Sequence, residues 1–163
     1  MANSKKWLRR FLEILIFIAV LAGIRSWQQR DIPEGLAPIL AGRLLDGKVF
    51  EQGRGPMLVH FWATWCPICR TDQASVEELS KDHRVVTIAL KSGRDGEIAK
   101  YMKKEGLDFP VLNDPDGAIS AQWGVHAVPA SFVLDRDGKM RFVEFGYTTG
   151  IGLRLRLWLA QIG

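Results

Sequence analysis

Two cysteines carry the clearest chemical signal in this sequence. Cys66 and Cys69 are the only cysteines among the 163 residues, and just two residues separate them. A single pair cannot build a framework of several structural disulfides, and it lacks the second ligand pair of a four-coordinate zinc site. The pair follows the apolar run 57–62, and Pro67 stands where a helix can begin. A helix N-terminus favours an anion, which predicts a reactive thiolate at Cys66 and a resolving thiol at Cys69.

The elements around the pair predict one α/β domain. A hairpin turn is expected at Asp46-Gly47, between two short apolar runs. Strands are predicted at 57–62, 84–90, 109–112, 130–135 and 140–145, and helices at 67–80, 95–105 and 117–123. Alternating strands and helices that end in a hairpin indicate a mixed sheet flanked by helices. The last run, 153–159, alternates with period two, and this pattern alone favours a strand.

Two segments resemble a known family. Residues 58–69, LVHFWATWCPIC, are similar to the active-site strand and helix of thioredoxin-like proteins, and residues 124–139, GVHAVPASFVLDRDGK, resemble their cis-proline strand and hairpin. The similarity is greatest to the membrane-anchored TlpA/ResA group of thiol–disulfide oxidoreductases, and a weaker one is to the suppressor-of-copper-sensitivity proteins of ScsD type. The resemblance implies a thioredoxin-like fold over 36–163, with an N-terminal β-hairpin, an αβ insertion and a helix at the C-terminal run.

The resemblance also implies roles for residues near the cysteine pair. Pro129 matches the family's cis-proline, so the backbone of Val128 is expected beside Cys66, ready to pair with the substrate main chain. Trp65 is expected at the rim of the site, in contact with substrate. The cysteine pair itself carries two electrons, so the implied chemistry needs no dissociable cofactor and no metal.

His60 and Asp72 depart from the family pattern. His60 lies six residues before Cys66, where thioredoxins carry a buried acid, and its imidazole could exchange a proton with Cys69. The alternative is a core histidine with satisfied hydrogen bonds. Asp72 follows Cys69 by three residues, where the ResA group has a carboxylate near the thiols. It is either a second group for proton transfer or a solvent-facing acid on the helix.

A copper-binding module is the alternative function. His126 stands three residues before Pro129, in a loop that is expected to approach Cys66 and Cys69. Two thiolates and an imidazole could hold Cu(I), because thiolates suit soft ions. An exposed loop histidine without such a role is the other interpretation.

The basic character of the chain is concentrated at its N-terminus. The net charge is +4 and the isoelectric point is 9.3, yet residues 1–30 hold six Lys/Arg and one acid. Residues 31–163 hold the remaining 16 Lys/Arg and 17 Asp/Glu, so the predicted globular part is close to neutral. Without a basic patch that also carries aromatic residues, nucleic acid is not an expected partner.

The N-terminal segment predicts attachment to, or passage through, a membrane. Residues 11–24 are apolar apart from Glu13, and Trp7 and Trp27 flank them as interfacial aromatics do. One interpretation is an uncleaved anchor within 1–29, spanning through residues 7–27. The other is a cleaved signal peptide with a small-residue site near Ala22. Residues 30–35 are then a linker before the domain at 36–163.

These observations predict a protein-disulfide oxidoreductase outside the cytoplasm. Most of the N-terminal bases precede the apolar run, which places the catalytic domain on the periplasmic side of a bacterial cytoplasmic membrane, held by a single pass. The expected partners are protein thiols and disulfides, together with a membrane electron donor. The resemblance favours action as a reductant, because the group is commonly kept reduced.

Overall fold

Two units make up the chain in the computed structural model. The structure describes residues 7, 10–17, 19–20 and 35–162. The chain divides into units Met1–Ile32 and Pro33–Gly163. The described residues of the first unit are helical, and their large apolar side chains are exposed. Within the described ranges, no helix combines the length and the apolar character needed to cross a membrane. Trp27 and most of the predicted linker lie outside these ranges, and the predicted domain boundaries stay predictions.

The second unit begins with a small β-hairpin. Strands β1 (Ala41–Arg43) and β2 (Val49–Glu51) pair antiparallel. Gly47 adopts φ +86° in the turn, a left-handed conformation that glycine tolerates better than other residues. The Asp46 carboxylate accepts the N–H of Lys48 at 3.0 Å, which closes the turn. The predicted N-terminal hairpin is therefore confirmed.

The main sheet has five strands and is mixed. Its strands are β3 (Met57–Trp62), β4 (Val85–Leu90), β5 (Val111–Asp114), β6 (Ala130–Leu134) and β7 (Met140–Phe145). Their order is β5-β4-β3-β6-β7; β3, β4 and β5 run parallel, whereas β6 and β7 are antiparallel to their neighbours. Every residue of the central strand β3 is buried, which accounts for its continuous apolar sequence.

Helices cover the sheet and connect its parallel strands. They are α1 (Pro67–Asp82), α2 (Asp95–Glu105), α3 (Ala118–Gln122) and α4 (Gly150–Ile162). Helix α2 links β4 to β5, and α3 follows β5, which gives the predicted αβ insertion. Strand β5 begins later than predicted, because Pro110 has no N–H and the N–H of Phe109 donates to the Glu77 carboxylate at 3.0 Å.

Helix α4 corrects the strand that period-two alternation predicted for residues 153–159. Leu153, Leu157 and Ala160 are buried at the i, i+4, i+7 spacing of one helix face. The alternating arginines do not mark a second face of a strand. Arg154 pairs with Glu78 and Asp82 on α1, both at 3.3 Å. The helix that the family resemblance implied is thus the observed element.

Packing on both faces of β3 fixes the strand that leads to the cysteines. On one face, Leu58 and Trp62 join a buried cluster that includes Cys66 and Cys69. On the other face, Phe61 packs edge-on against Phe132, with ring centroids 5.5 Å apart. Each such side chain contributes about 1.5–3 kcal/mol through burial. The carboxyl end of β3, where sites of α/β sheets usually form, is therefore held firmly in place.

Candidate active site

Cys66 and Cys69 form a disulfide at the N-terminus of α1. Their Cα atoms are 5.3 Å apart. Cys66 is the N-cap residue with extended backbone, and its Sγ accepts the N–H of Cys69 at 3.1 Å. Pro67 occupies the start of the helix, where a missing N–H has no cost. The local sequence therefore directs the free N–H groups of the helix end toward the sulfur of Cys66.

The two sulfurs differ in their access to solvent. Cys66 retains 4% exposure, whereas Cys69 is fully buried. A partner that approaches from solvent meets Cys66 first. This difference agrees with the predicted roles of nucleophile and resolving thiol.

The loop before β6, within the second motif, brings a backbone carbonyl to the disulfide. The Val128–Pro129 peptide bond is cis, and the Val128 carbonyl oxygen lies 3.6 Å from Cys66 Sγ. Pro129 is buried and is followed directly by β6. The structure thus brings together Cys66 and Val128, two residues that are 62 positions apart in the sequence.

Two large apolar side chains next to the disulfide are exposed. Trp65 is 60% exposed and Ile68 is 55% exposed. The indole N–H of Trp65 donates to the Lys91 carbonyl at 3.0 Å, which fixes the ring over the loop after β4. Trp65 therefore lies at the surface of the site, as expected of a rim residue.

His60 is buried in the middle of β3, on the strand face shared by Leu58 and Trp62. Its Nδ1 lies 3.0 Å from the Ser131 hydroxyl on β6, directly opposite in the strand register. Its Nε2 has no hydrogen-bond partner within the described residues. Burial lowers the pKa of His60 to about 4, because the charged imidazolium loses its hydration. His60 is therefore neutral at physiological pH, and only one of its nitrogens is satisfied.

Asp72 is a buried carboxylate, one turn of helix beyond Cys69. Its side chain is 2% exposed, so the interpretation as a solvent-facing helix acid is wrong. Burial is the main reason that the pKa of Asp72 rises to about 6, while hydrogen bonds from the Thr71 hydroxyl and the Thr148 backbone oppose that rise. Asp72 turns inward because it shares the buried face of α1 with Cys69 and Val76.

His126 is exposed in the loop before Val128. Across the part of the chain that the structure describes, no three His, Cys, Asp or Glu side chains are grouped so that they could hold a metal ion. The structure therefore offers no observation that favours the copper-binding alternative.

The sequence does not predict two residues that contact His60 and Asp72 near the pair. Ser131 is a polar residue inside an apolar strand, and only the register between β3 and β6 reveals that it faces His60. Thr148 hydrogen-bonds Asp72 through its backbone. Almost any residue type could make this bond, so the sequence does not reveal it. The polar interruption of the run 130–134 is the one feature that could have pointed to Ser131.

This fold and this disulfide define a class of redox proteins. Residues 44–150 match the model of the Redoxin family, and the chain belongs to that family. It is 31% identical over 163 residues to a thioredoxin-like protein of Haemophilus influenzae, with 96% of each chain covered. It is 34% identical over 115 residues to the thiol-disulfide oxidoreductase ResA of Bacillus thuringiensis, covering 68% of this chain and 65% of that protein.

A solved structure agrees with these relatives. The thiol:disulfide interchange protein from Chlorobium tepidum is 27% identical, with a TM-score of 0.67, and the match covers 80% of this chain and 98% of that one. The thioredoxin-like α/β fold and the resemblance to proteins of ResA type are therefore confirmed. The chain is a thiol–disulfide oxidoreductase with Cys66 and Cys69 as its redox pair.

Proposed function

We propose that this protein reduces disulfides in protein substrates on the outer side of the cytoplasmic membrane. The observation that carries the proposal is the disulfide at the N-terminus of α1, with the Val128 carbonyl 3.6 Å from Cys66 Sγ. This arrangement offers a sulfur for exchange and a main-chain group for an extended substrate segment. Trp65 adds an exposed aromatic surface beside them.

The reaction consists of two successive thiol–disulfide exchange steps. The Cys66 thiolate attacks one sulfur of a substrate disulfide, which forms a mixed disulfide and releases the other substrate sulfur as a thiolate. The Cys69 thiolate then attacks Cys66 Sγ, which releases the second substrate sulfur and closes Cys66–Cys69. The substrate gains two electrons and the enzyme loses two, so no dissociable cofactor is needed. A membrane electron donor returns the pair to the dithiol.

Cys69 must lose a proton before it attacks, and Asp72 is the group we assign to receive it. A carboxylate whose pKa is about 6 is a stronger base than a histidine whose pKa is about 4. Asp72 also lies one helical turn from Cys69, on the same buried face. In this scheme His60 stays neutral, so it adds no buried positive charge that would stabilise the Cys66 thiolate.

The small number of groups that could stabilise the Cys66 thiolate supports the proposed direction of electron flow. A strong oxidant needs a very stable reduced form, which means a very low thiolate pKa. In the described chain, the N–H of Cys69 donates to Cys66 Sγ, while the side chain of Ile68 carries no donor. Fewer donors to the thiolate mean a more reducing couple, which supports a reductant.

The location rests on the N-terminal segment. We propose that residues 7–27 anchor the protein by a single pass and that the domain lies in the periplasm. Support comes from the bases that precede the apolar run and from the exposed apolar side chains of residues 11–17.

Two measurements test this function. The first equilibrates the protein with glutathione buffers; we expect a potential well below that of a strong oxidant, which is roughly −120 mV. The second is substrate capture with Cys69→Ala, which should accumulate mixed disulfides with exported proteins, whereas Cys66→Ala should capture none. A pair that is found as a disulfide in cells, with a potential near −120 mV, would overturn the reductant assignment. Failure to capture any protein would overturn the substrate class.

A further inference from the structure

The segment after β7 is tied to both halves of the redox site. The N–H of Gly146 donates to the Pro129 carbonyl at 2.8 Å. Two residues later, the backbone of Thr148 hydrogen-bonds the Asp72 carboxylate. Pro129 directly follows the residue whose carbonyl faces Cys66, and Asp72 lies one turn beyond Cys69. The residue between these two attachments, Tyr147, is therefore held at the edge of the disulfide site.

The ring of Tyr147 is exposed to solvent, although the backbone on both sides of it is hydrogen-bonded to the rest of the site. Its side chain is 56% exposed. Gly146 adopts φ +82°, which turns the chain sharply away from β7 just before the ring. An isolated exposed aromatic residue would need no explanation. Trp65 and Ile68, which adjoin the two cysteines in the sequence, expose similar fractions of their side chains, and the backbone of Tyr147 is tied to the same site.

We call these three exposed side chains the rim, because each belongs to a segment that adjoins Cys66 in the sequence or is hydrogen-bonded to Pro129 and Asp72. Trp65 precedes Cys66 and Ile68 follows it by two residues, while Tyr147 approaches from the segment tied to Pro129 and Asp72. An extended segment that pairs with Val128 projects side chains to alternate sides. Bulky apolar side chains that flank its cysteine would bury surface against the rim, whereas polar side chains would gain little.

We propose that Tyr147 is a specificity-determining residue that selects substrate segments with a bulky apolar side chain next to the reacting cysteine. The inference deepens the proposed disulfide exchange and rests on it. Tyr147 touches the substrate and not the sulfurs, so it changes the choice of substrate while the reactivity of Cys66 stays the same.

The test compares two peptide disulfides of equal charge and length, one with leucines and one with serines beside its cysteines. Stopped-flow measurement of the reduced full-length protein gives the second-order rate constant for each peptide and for oxidised glutathione. We expect Tyr147→Ser to slow reaction with the leucine peptide about 5-fold. Reaction with the serine peptide and with glutathione should change less than about 2-fold, and Tyr147→Phe should behave like the unmodified protein.

Trp158→Ser is the matched control, because Trp158 is 54% exposed but belongs to α4. It should leave all three rate constants unchanged. Equal losses on all three disulfides with Tyr147→Ser, or no loss on the leucine peptide, would overturn the inference and leave the proposed function standing. If the unmodified protein reacted with glutathione but with neither peptide, the proposed function would fail, and this inference would fail with it.

Discussion

At the scale of single residues, the two cysteines are distinguished by position and not by type. Cys66 caps α1 and receives the N–H of Cys69, whereas Cys69 is fully buried inside the helix. We therefore expect Cys66 to have the lower thiol pKa in the reduced protein. Alkylation by iodoacetamide across pH, measured by mass spectrometry on Cys69→Ala and Cys66→Ala, gives each thiol alone. Faster alkylation of Cys69 at any pH below 8 would reverse the assigned roles.

His60 predicts a pH dependence of stability. Its pKa is about 4 in the folded protein and 6.5 in the unfolded chain, so the unfolded chain binds the proton more tightly. The stability present above pH 6.5 is therefore lost as pH falls from 6.5 toward 4, by about 3 kcal/mol. Urea unfolding of the unmodified protein and of His60→Asn should show this extra loss only when the histidine is present.

Asp72 has an opposing effect on the pH dependence of stability, and this effect cancels when the unmodified protein is compared with His60→Asn. The pKa of Asp72 is raised from 3.8 to about 6 in the folded protein, so its contribution to stability grows as pH falls through that window. Both proteins contain Asp72, and the difference between their free energies of unfolding therefore reports His60 alone. Identical pH profiles would mean that His60 is not held neutral by burial.

Asp72 predicts a pH dependence of the exchange rate. A base must be deprotonated to accept the proton of Cys69, so the resolving step should slow as pH falls through about 6. We expect Asp72→Asn to lose this inflection and to slow resolution on the order of 100-fold at pH 7. Stopped-flow decay of a preformed mixed disulfide measures the step directly.

Asp82→Asn is the control for Asp72, because it removes an exposed carboxylate from the same helix. That variant should keep both the rate and the inflection. An inflection near pH 6 that survives in Asp72→Asn would assign the proton to a different group.

At the scale of elements, α4 shows how packing overrides a local pattern. Leu157 is 1% exposed and belongs to the cluster that surrounds the cysteines, whereas Leu155 is 55% exposed. We expect Leu157→Ala to cost about 2–5 kcal/mol of unfolding free energy, because it leaves a cavity. Leu155→Ala should change it by less than about 0.5 kcal/mol. Urea denaturation gives both values, and equal costs would contradict the observed helix face.

The sequence predicts elements that carry a local signal of their own. It does not predict features that depend on contacts with distant parts of the chain. The apolar run of β3 and the Pro67 start of α1 are local signals, and both predict the observed elements. The run 153–159 misled because arginines that reach partners on other elements imitate the polar face of a strand. The inward turn of Asp72 and its contact with Thr148 depend on a segment 76 residues away, for which the sequence gives no signal.

At the scale of the whole molecule, charge is separated along the chain. Residues 1–30 hold six Lys/Arg and one acid, while the rest is nearly balanced. A balanced domain has no general attraction to polyanions. We propose that the N-terminal bases instead orient the chain at a membrane. The redox pair lies in the second unit, which begins after Ile32. The location of that unit decides which substrates can reach Cys66.

That location gives the last prediction. Lys5, Lys6, Arg9 and Arg10 precede the apolar run, whereas residues 25–30 directly after it hold only Arg25 and Arg30. Because flanking bases stay on the cytoplasmic side, a reporter fused after Gly163 should be active if it functions only outside the cytoplasm. Replacing the four leading bases with glutamine should reduce that activity, whereas the same change at Lys100, Lys103 and Lys104 should not. A stable fusion with an inactive reporter would show that the cysteine pair lies in the cytoplasm.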